Sequence, residues 1–240
     1  MRDEMHVAFL LHRRDYRETS VLADFFTKEH GVVSGVVKGV RGSSKSQRLT
    51  LQPFACLSIS WAGNHDLKTI KSVEAVKNAM SFAGTQLFCG LYINELLLRL
   101  LNRYDPYPHL FEKYEKTLAQ LIDCANDQSD IVLRRFEKEV LSVLGYGLNF
   151  LQDSNGIGVS DDAHYLFENE RGFIKMPNPV TRDQQPFVYR GDVLLAIDKD
   201  DYALIETRHA AKRLMRMALS YYLGSKPLHS RQLFQKMKEE

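Results

Sequence analysis

The chain has 240 residues, 44% of them hydrophobic and 26% charged, with a net charge of +2. It is long enough for more than one compact unit. It holds no apolar run of about 18 residues, which excludes a helical membrane span, and its three cysteines exclude a disulfide-stapled scaffold. The small net charge hides an uneven spread: residues 1–80 carry +4, residues 81–205 carry −7 and residues 206–240 carry +5. Basic ends around an acidic middle imply two or more working surfaces.

The opening MRDEMHVAFLLH places acids before a short apolar run and has no small-residue cleavage site. It reads as a strand, not a signal peptide. Five strands are expected in the first 80 residues, at 5–11, 19–27, 32–38, 53–61 and 67–76. Alternation is clearest in Cys56-Leu57-Ser58-Ile59-Ser60-Trp61 and in Leu67-Lys68-Thr69-Ile70. Glu29-His30-Gly31 and Ala62-Gly63-Asn64-His65-Asp66 are turn sequences between them. Five short strands in about 75 residues fit a small closed barrel such as the OB-fold.

The pattern then turns helical. Residues 82–102 are apolar nearly all round, the mark of a central helix, and Asp105-Pro106-Tyr107-Pro108 breaks it. Amphipathic helices follow at 110–124 and 131–144, the second with Asp130 as N-cap and Gly145 as C-cap. Residues 149–185 are polar and rich in turn formers, with a hairpin expected around Glu170-Arg171-Gly172. Helical spacing returns at 191–197 and 202–223, the latter ended by Gly224. Ser230 can cap a last helix at 231–237. The fold class is α+β: a five-stranded barrel (1–80), a helical domain (81–150), a small irregular insert (151–190) and a C-terminal helical segment (191–240).

The most telling stretch is the Gly/Ser-rich loop after the third strand. Lys38, Arg41, Lys45 and Arg48 follow one another with no acid between them. Gly39, Gly42, Ser43 and Ser44 let a backbone approach closely. One sign of charge in a loop on a small barrel suits phosphates better than a small-molecule pocket. Arg13, Arg14 and Arg17, interleaved with Asp15 and Glu18, allow either phosphate contact or local ion pairing. Among the aromatics, Phe25, Phe26 and Phe54 sit in apolar contexts suited to the core. Tyr16, flanked by charge, is the better base-stacking candidate, with Trp61 also available.

Arg208, Lys212, Arg213 and Arg216 recur at helical spacing opposite Leu214, Met217, Ala218 and Tyr221. They fit an amphipathic surface helix or a second nucleic-acid or partner surface. Arg134 and Arg135 beside Phe136 fit a solvated helix edge or an Arg fork that captures a carboxylate next to an apolar groove. No phosphate-cradling G-x-x-x-x-G-K-[ST], no G-x-S-x-G and no H-E-x-x-H occurs, and the eight histidines show no metal-ligand spacing.

Five blocks together resemble the RecO family of bacterial DNA repair proteins. They are HRRDYRETSVLADFFTKEHG, VVKGVRG with LQPF, GLYINELLLRLL, LRRFEKEVLSVLGYGLNF and AAKRLMRMALSYYLGSKPLHSRQLF. The resemblance implies an N-terminal OB-fold, a helical middle domain and a C-terminal region packed on it. It implies a recombination mediator, not an enzyme, that binds single- and double-stranded DNA and anneals complementary strands. Implied partners are RecR and the single-stranded-DNA-binding protein SSB, whose acidic tail docks on the helical domain, with Arg134 where the family presents a basic residue to it. The sequence departs from the family in one place. Where many members carry a four-cysteine zinc site, this chain reads Leu151-Gln152-Asp153-Ser154-Asn155-Gly156, and residues 145–205 hold no cysteine. No zinc and no other cofactor is expected. The expected reading is a cytoplasmic DNA-binding mediator; the rivals are a metal-dependent nuclease or hydrolase and an RNA-binding OB protein.

Overall fold

The computed structural model describes residues 4–40, 50–77, 80–177 and 187–239. Arg41, Lys45 and Arg48, three of the four expected loop cations, lie outside the described residues. Among the described residues, eight strands and six helices follow in the order β1 (His6–Tyr16), β2 (Ser20–Thr27), β3 (Gly31–Val37), β4 (Cys56–Ala62), β5 (Leu67–Ala75), α1 (Gly84–Leu100), α2 (Pro108–Asp123), α3 (Ser129–Val143), β6 (His164–Glu168), β7 (Gly172–Met176), β8 (Val188–Arg190), α4 (Gly191–Asp198), α5 (Ile205–Leu223) and α6 (His229–Glu239). Contacts group them into two compact units, Met1–Asn126 with Pro227–Glu240, and Asp127–Lys226. Composition alone divides the chain elsewhere, because α1 and α2 look like their helical neighbours yet pack with the barrel.

The first unit holds a closed barrel of strand order β1-β2-β3-β5-β4. All neighbours are antiparallel except β3 and β5, which run parallel from Ser34↔Leu67 to Val37↔Ile70. Alternation works as expected in β2: Val21, Ala23 and Phe25 join Ala8, Leu10, Leu57 and Ile59 in the interior. The outward residues are covered too. Phe9 and Phe26 meet Phe111 and Tyr114 of α2 at ring-centroid distances of 5.1 to 6.0 Å. Gly31 closes the β2–β3 turn at φ +61°, and a Cβ there would fall 1.9 Å from the Asp105 carbonyl oxygen, so no other residue fits.

One irregularity organises this unit. The β1–β2 register slips between Leu10 and His12, so Leu11 is an extra residue in β1. Its carbonyl accepts a 2.7 Å hydrogen bond from Asn94 Nδ2 of α1. Asn94 Oδ1 in turn accepts 2.6 Å from the Tyr114 hydroxyl of α2. Asn94 and Tyr114 are buried, so each polar atom depends on the others. Beside it, Glu95 supplies a cap from a distance: its carboxylate accepts from the backbone N–H groups of His229 and Ser230 and from the Ser230 hydroxyl at 2.7 to 2.9 Å. Ser230, expected to cap the last helix, thus donates to a carboxylate on α1 instead, and the helix begins at His229.

The second unit packs α3 and α5 together and adds a three-stranded antiparallel sheet, β7-β6-β8. The hairpin expected near Glu170 is the β6–β7 connection, with Gly172 at φ +75°. The described part of the segment expected to be irregular, residues 149–177, holds the two paired strands of that hairpin and a bonded turn that its turn-rich composition does not predict. Asp153 is buried, and its Oδ1 accepts from the Asn155 and Ile157 N–H groups at 2.8 and 3.0 Å. Phe150, Phe167 and Phe173 pack beneath. Gly145 ends α3 as expected, with the Tyr146 N–H bonded to the Leu141 carbonyl and the Gly145 N–H to Ser142. Asp130 is not the N-cap, because α3 starts at Ser129 and Asp130 falls in its first turn. α5 starts at Ile205 rather than 202, since Tyr202 is buried from the preceding loop.

Replacing Asn94 by Leu should strand the Leu11 carbonyl and the Tyr114 hydroxyl in apolar surroundings. The expected loss is about 2–4 kcal/mol of unfolding free energy. Tyr114→Phe, which removes only one donor, should cost about 1 kcal/mol. Chemical denaturation of both variants checks the ranking.

Candidate nucleic-acid interface

Strand register gathers cations at one end of the barrel. Tyr16 pairs with Ser20 across the β1–β2 turn, Val21 pairs with Val37, and Val37 pairs with Ile70. The Arg17-containing turn, Lys38 after β3 and Lys71 of β5 therefore share that end. Lys38 and Lys71 line a cleft of about 460 Å³ with Val37, Val40, Leu51 and Ile70. Val40 and Thr50, the flanks of the segment holding Arg41, Lys45 and Arg48, both border this cleft.

Arg13 is half-buried and Arg14 exposed, on opposite faces of β1. Neither makes an ion pair among the described residues, so local pairing does not account for them. Arg17, at φ +54°, holds its guanidinium 5.1 Å from the centre of the half-buried Tyr16 ring. The turn also carries the exposed acids Asp15 and Glu18. Trp61 packs partly on the barrel core and contacts His6 at 4.6 Å and His30 at 5.3 Å, while Phe25, Phe26 and Phe54 are buried. Further along the sheet, burial pushes the Asp24 carboxyl up, but bonds from His12 and Ser34 and the charge of Arg103 outweigh it. Its pKa ends below the ordinary 3.8.

The four cations of α5 separate into two pairs. Lys212 and Arg216 are exposed and make no hydrogen bond or ion pair among the described residues. Arg208 is spent on structure: its Nε donates to the Tyr202 carbonyl at 2.8 Å and its Nη1 to that of Asp127 at 3.3 Å. Arg213 is exposed but anchored, donating to the Val188 carbonyl and lying 4.7 Å from the Tyr189 ring centre. A cleft of about 630 Å³ beside it is lined by His164, Tyr189, Arg190, Ile205 and His209, with Glu206 offsetting their charge.

The expected Arg134–Arg135 fork does not form. Successive residues on a helix point about 100° apart, so Arg134 shares a face with the buried Glu137 and Leu141, three and seven residues on, while Arg135 is turned away from them. Arg134 is 7% exposed, and its Nη2 donates at 2.7 Å to Glu137, which is 1% exposed. Arg135 alone faces solvent, near Asp200 and 6.0 Å from the Tyr202 ring centre. Burial, then the Asp200 carboxylate, pushes the Tyr202 hydroxyl far up. Lys138, on the same helix, donates to the Ile197 and Asp198 carbonyls at 2.6 and 3.1 Å and so caps the C-terminus of α4.

Among the described residues no group of three or more His, Cys, Asp or Glu could hold a metal. Lys71 and Glu137 were not singled out by sequence. Lys71 becomes a neighbour of Lys38 only through parallel β3–β5 pairing, which alternation alone does not reveal. Glu137 carries a weak signal, its i,i+3 spacing from Arg134.

Residues 1–79 match the family model described as recombination protein O N terminal, and residues 82–232 match recombination protein O C terminal. The chain belongs to the recombination protein O family. It is 40% identical over 236 residues to the DNA repair protein RecO of Actinobacillus pleuropneumoniae serotype 3, covering 98% of this chain and 96% of that protein. It is 42% identical over 232 residues to the RecO protein of Psychromonas ingrahamii, covering 96% and 97%. It is 39% identical over 235 residues to that of Vibrio cholerae serotype O1, covering 98% and 95%. The N-terminal RecO model spans the closed barrel, in agreement with the resemblance read from the sequence.

The buried pair on α3 has a testable consequence. Arg134→Ala should leave Glu137 buried without its cation and cost about 3–5 kcal/mol of stability. Arg135→Ala should cost less than about 1 kcal/mol. The double substitution Arg134→Met with Glu137→Leu should recover most of the loss, as read by denaturant unfolding.

Proposed function

We propose that this RecO-family protein is a DNA repair and recombination mediator that binds single- and double-stranded DNA and promotes annealing of complementary strands. The observation that carries this reading is the convergence of Arg14, Arg17, Lys38 and Lys71 on one end of a closed barrel, beside the flanks of the acid-free basic segment. Cations on mobile stems around a shallow cleft match phosphates, which repeat and carry no sequence information. Lys212 and Arg216 on α5 give a second basic surface. Screening the charge of two strands lowers the repulsion that opposes their pairing.

The reading is non-enzymatic: the described barrel end offers cationic donors, and its acids Asp15 and Glu18 are exposed on the turn rather than set in a pocket. Its cellular setting is the cytoplasm, on DNA coated by SSB and in company with RecR. For the acidic SSB tail we place contact on α3. Arg135 is its exposed charge, and Arg134 serves from beneath, oriented by Glu137. Anchoring on SSB raises the local concentration of the protein at coated DNA without new DNA contacts.

Changing Arg14, Arg17, Lys38 and Lys71 together to Gln should weaken binding about equally across DNA sequences. The dependence of log K on log salt for single strands should flatten by about 0.7 per lost contact. A titration over several salt concentrations with folded variant protein measures this. An unchanged slope would move the phosphate contacts off the barrel end. Equal-length RNA bound more tightly than DNA would favour an RNA-binding OB protein instead.

A further inference from the structure

The second unit carries an aromatic cluster that the basic surfaces do not use. The Gly145 turn, at φ +82°, delivers Tyr146 from the end of α3. Its ring stacks on Tyr222, in the last turn of α5, with centroids 3.9 Å apart and planes 15° from parallel. Tyr221 meets Tyr222 edge to face at 5.1 Å. Tyr146 and Tyr221 are nonetheless 45% and 51% exposed. Grouped aromatic surface of this kind, unlike single exposed rings, marks a place where something binds. We propose that Tyr146, Tyr221 and Tyr222 form a stacking platform for unpaired bases of single-stranded DNA, a contact separate from the phosphate-binding barrel end.

Three features fit that occupant. Tyr146 is covered on one face by Tyr222, so a base plane can continue the stack on its other face, and such stacking is tolerant of base identity. The Tyr221 hydroxyl donates to the Glu170 carboxylate. A hydroxyl lies in the plane of its ring, so Glu170 fixes the ring by its edge and leaves the faces open. Glu170 is the charge at the ring edge, but the helix that carries Tyr221 and Tyr222 also presents the exposed cations Lys212 and Arg216, and from Thr207 to Lys226 the chain has five Lys and Arg and no acid. Bases inside a duplex are already stacked on both faces, so the platform discriminates single from double strands. The barrel-end cations, which read phosphates, do not.

This inference rests on the DNA-binding reading, and its test separates the two. A thymidine oligonucleotide carrying bromodeoxyuridine, cross-linked by light to the full chain and mapped by mass spectrometry, should mark Tyr146 or Tyr221. Tyr221→Ala should weaken single-strand binding five-fold or more, leave duplex binding and the salt slope unchanged, and be rescued by Tyr221→Phe. Cross-links confined to the barrel, with Tyr221→Ala binding as tightly as the unaltered protein, would overturn the platform and leave the DNA-binding reading standing. Absence of single-strand binding by the unaltered chain would overturn both. The cross-link map is made on unaltered protein, so it decides the matter even if a variant fails to fold.

Discussion

The bonded set Leu11 carbonyl, Asn94 amide and Tyr114 hydroxyl is the constraint on which the first unit turns. A bulge frees a carbonyl that the ladder cannot satisfy, and here that carbonyl is buried. Asn94 is the one side chain on α1 that reaches it at 2.7 Å, and Tyr114 holds the amide's other end. The bulge also divides β1 by task. Before it, Ala8 and Phe9 pair with both β2 and β4 in the barrel wall. After it, His12 to Tyr16 pair with β2 alone and carry Arg13, Arg14 and Tyr16 outward to the turn. A strand without the extra residue would put opposite faces of this outer ribbon towards solvent.

Charge is used in two ways, and burial tells them apart. Arg134, Arg208 and Lys138 satisfy internal carboxylates or carbonyls that would otherwise be stranded. Removing any of them exposes a buried acceptor, so their loss is a matter of stability. Arg14, Lys38, Lys71, Lys212 and Arg216 stay in water at no desolvation cost and are available to an incoming polyanion. A count of Lys and Arg cannot make this distinction. Arg134, Arg208 and Lys138, all on helices, are structural in spite of a sequence context that looks open.

Much of the fold was legible because it depends on local pattern. Four of the five barrel strands fall within three residues of where alternation places them, while β1 runs five residues past its expected end, to Tyr16. The breaks at Asp105–Pro108, Gly145 and Gly224 are where turn chemistry predicts. What pattern could not supply depended on pairing between distant segments. The parallel β3–β5 match that joins Lys38 to Lys71 is one case, and the cap that Glu95 lends to α6 is another. Arg134 is the sharpest. Two adjacent arginines read alike in sequence, and only the face that Arg134 shares with the buried Glu137 and Leu141 takes one of them inward. Asp153 shows the converse. Its short side chain gives order to a loop whose composition reads as irregular.

The most direct measurement of the central claim is annealing of complementary oligonucleotides coated with SSB, followed by fluorescence transfer with and without this protein. The account predicts faster annealing, requiring neither nucleotide triphosphate nor divalent metal, diminished by rising salt, with both strands recovered at full length. Annealing that stays at the SSB-only rate, or strands shortened in a metal-dependent manner, would contradict it.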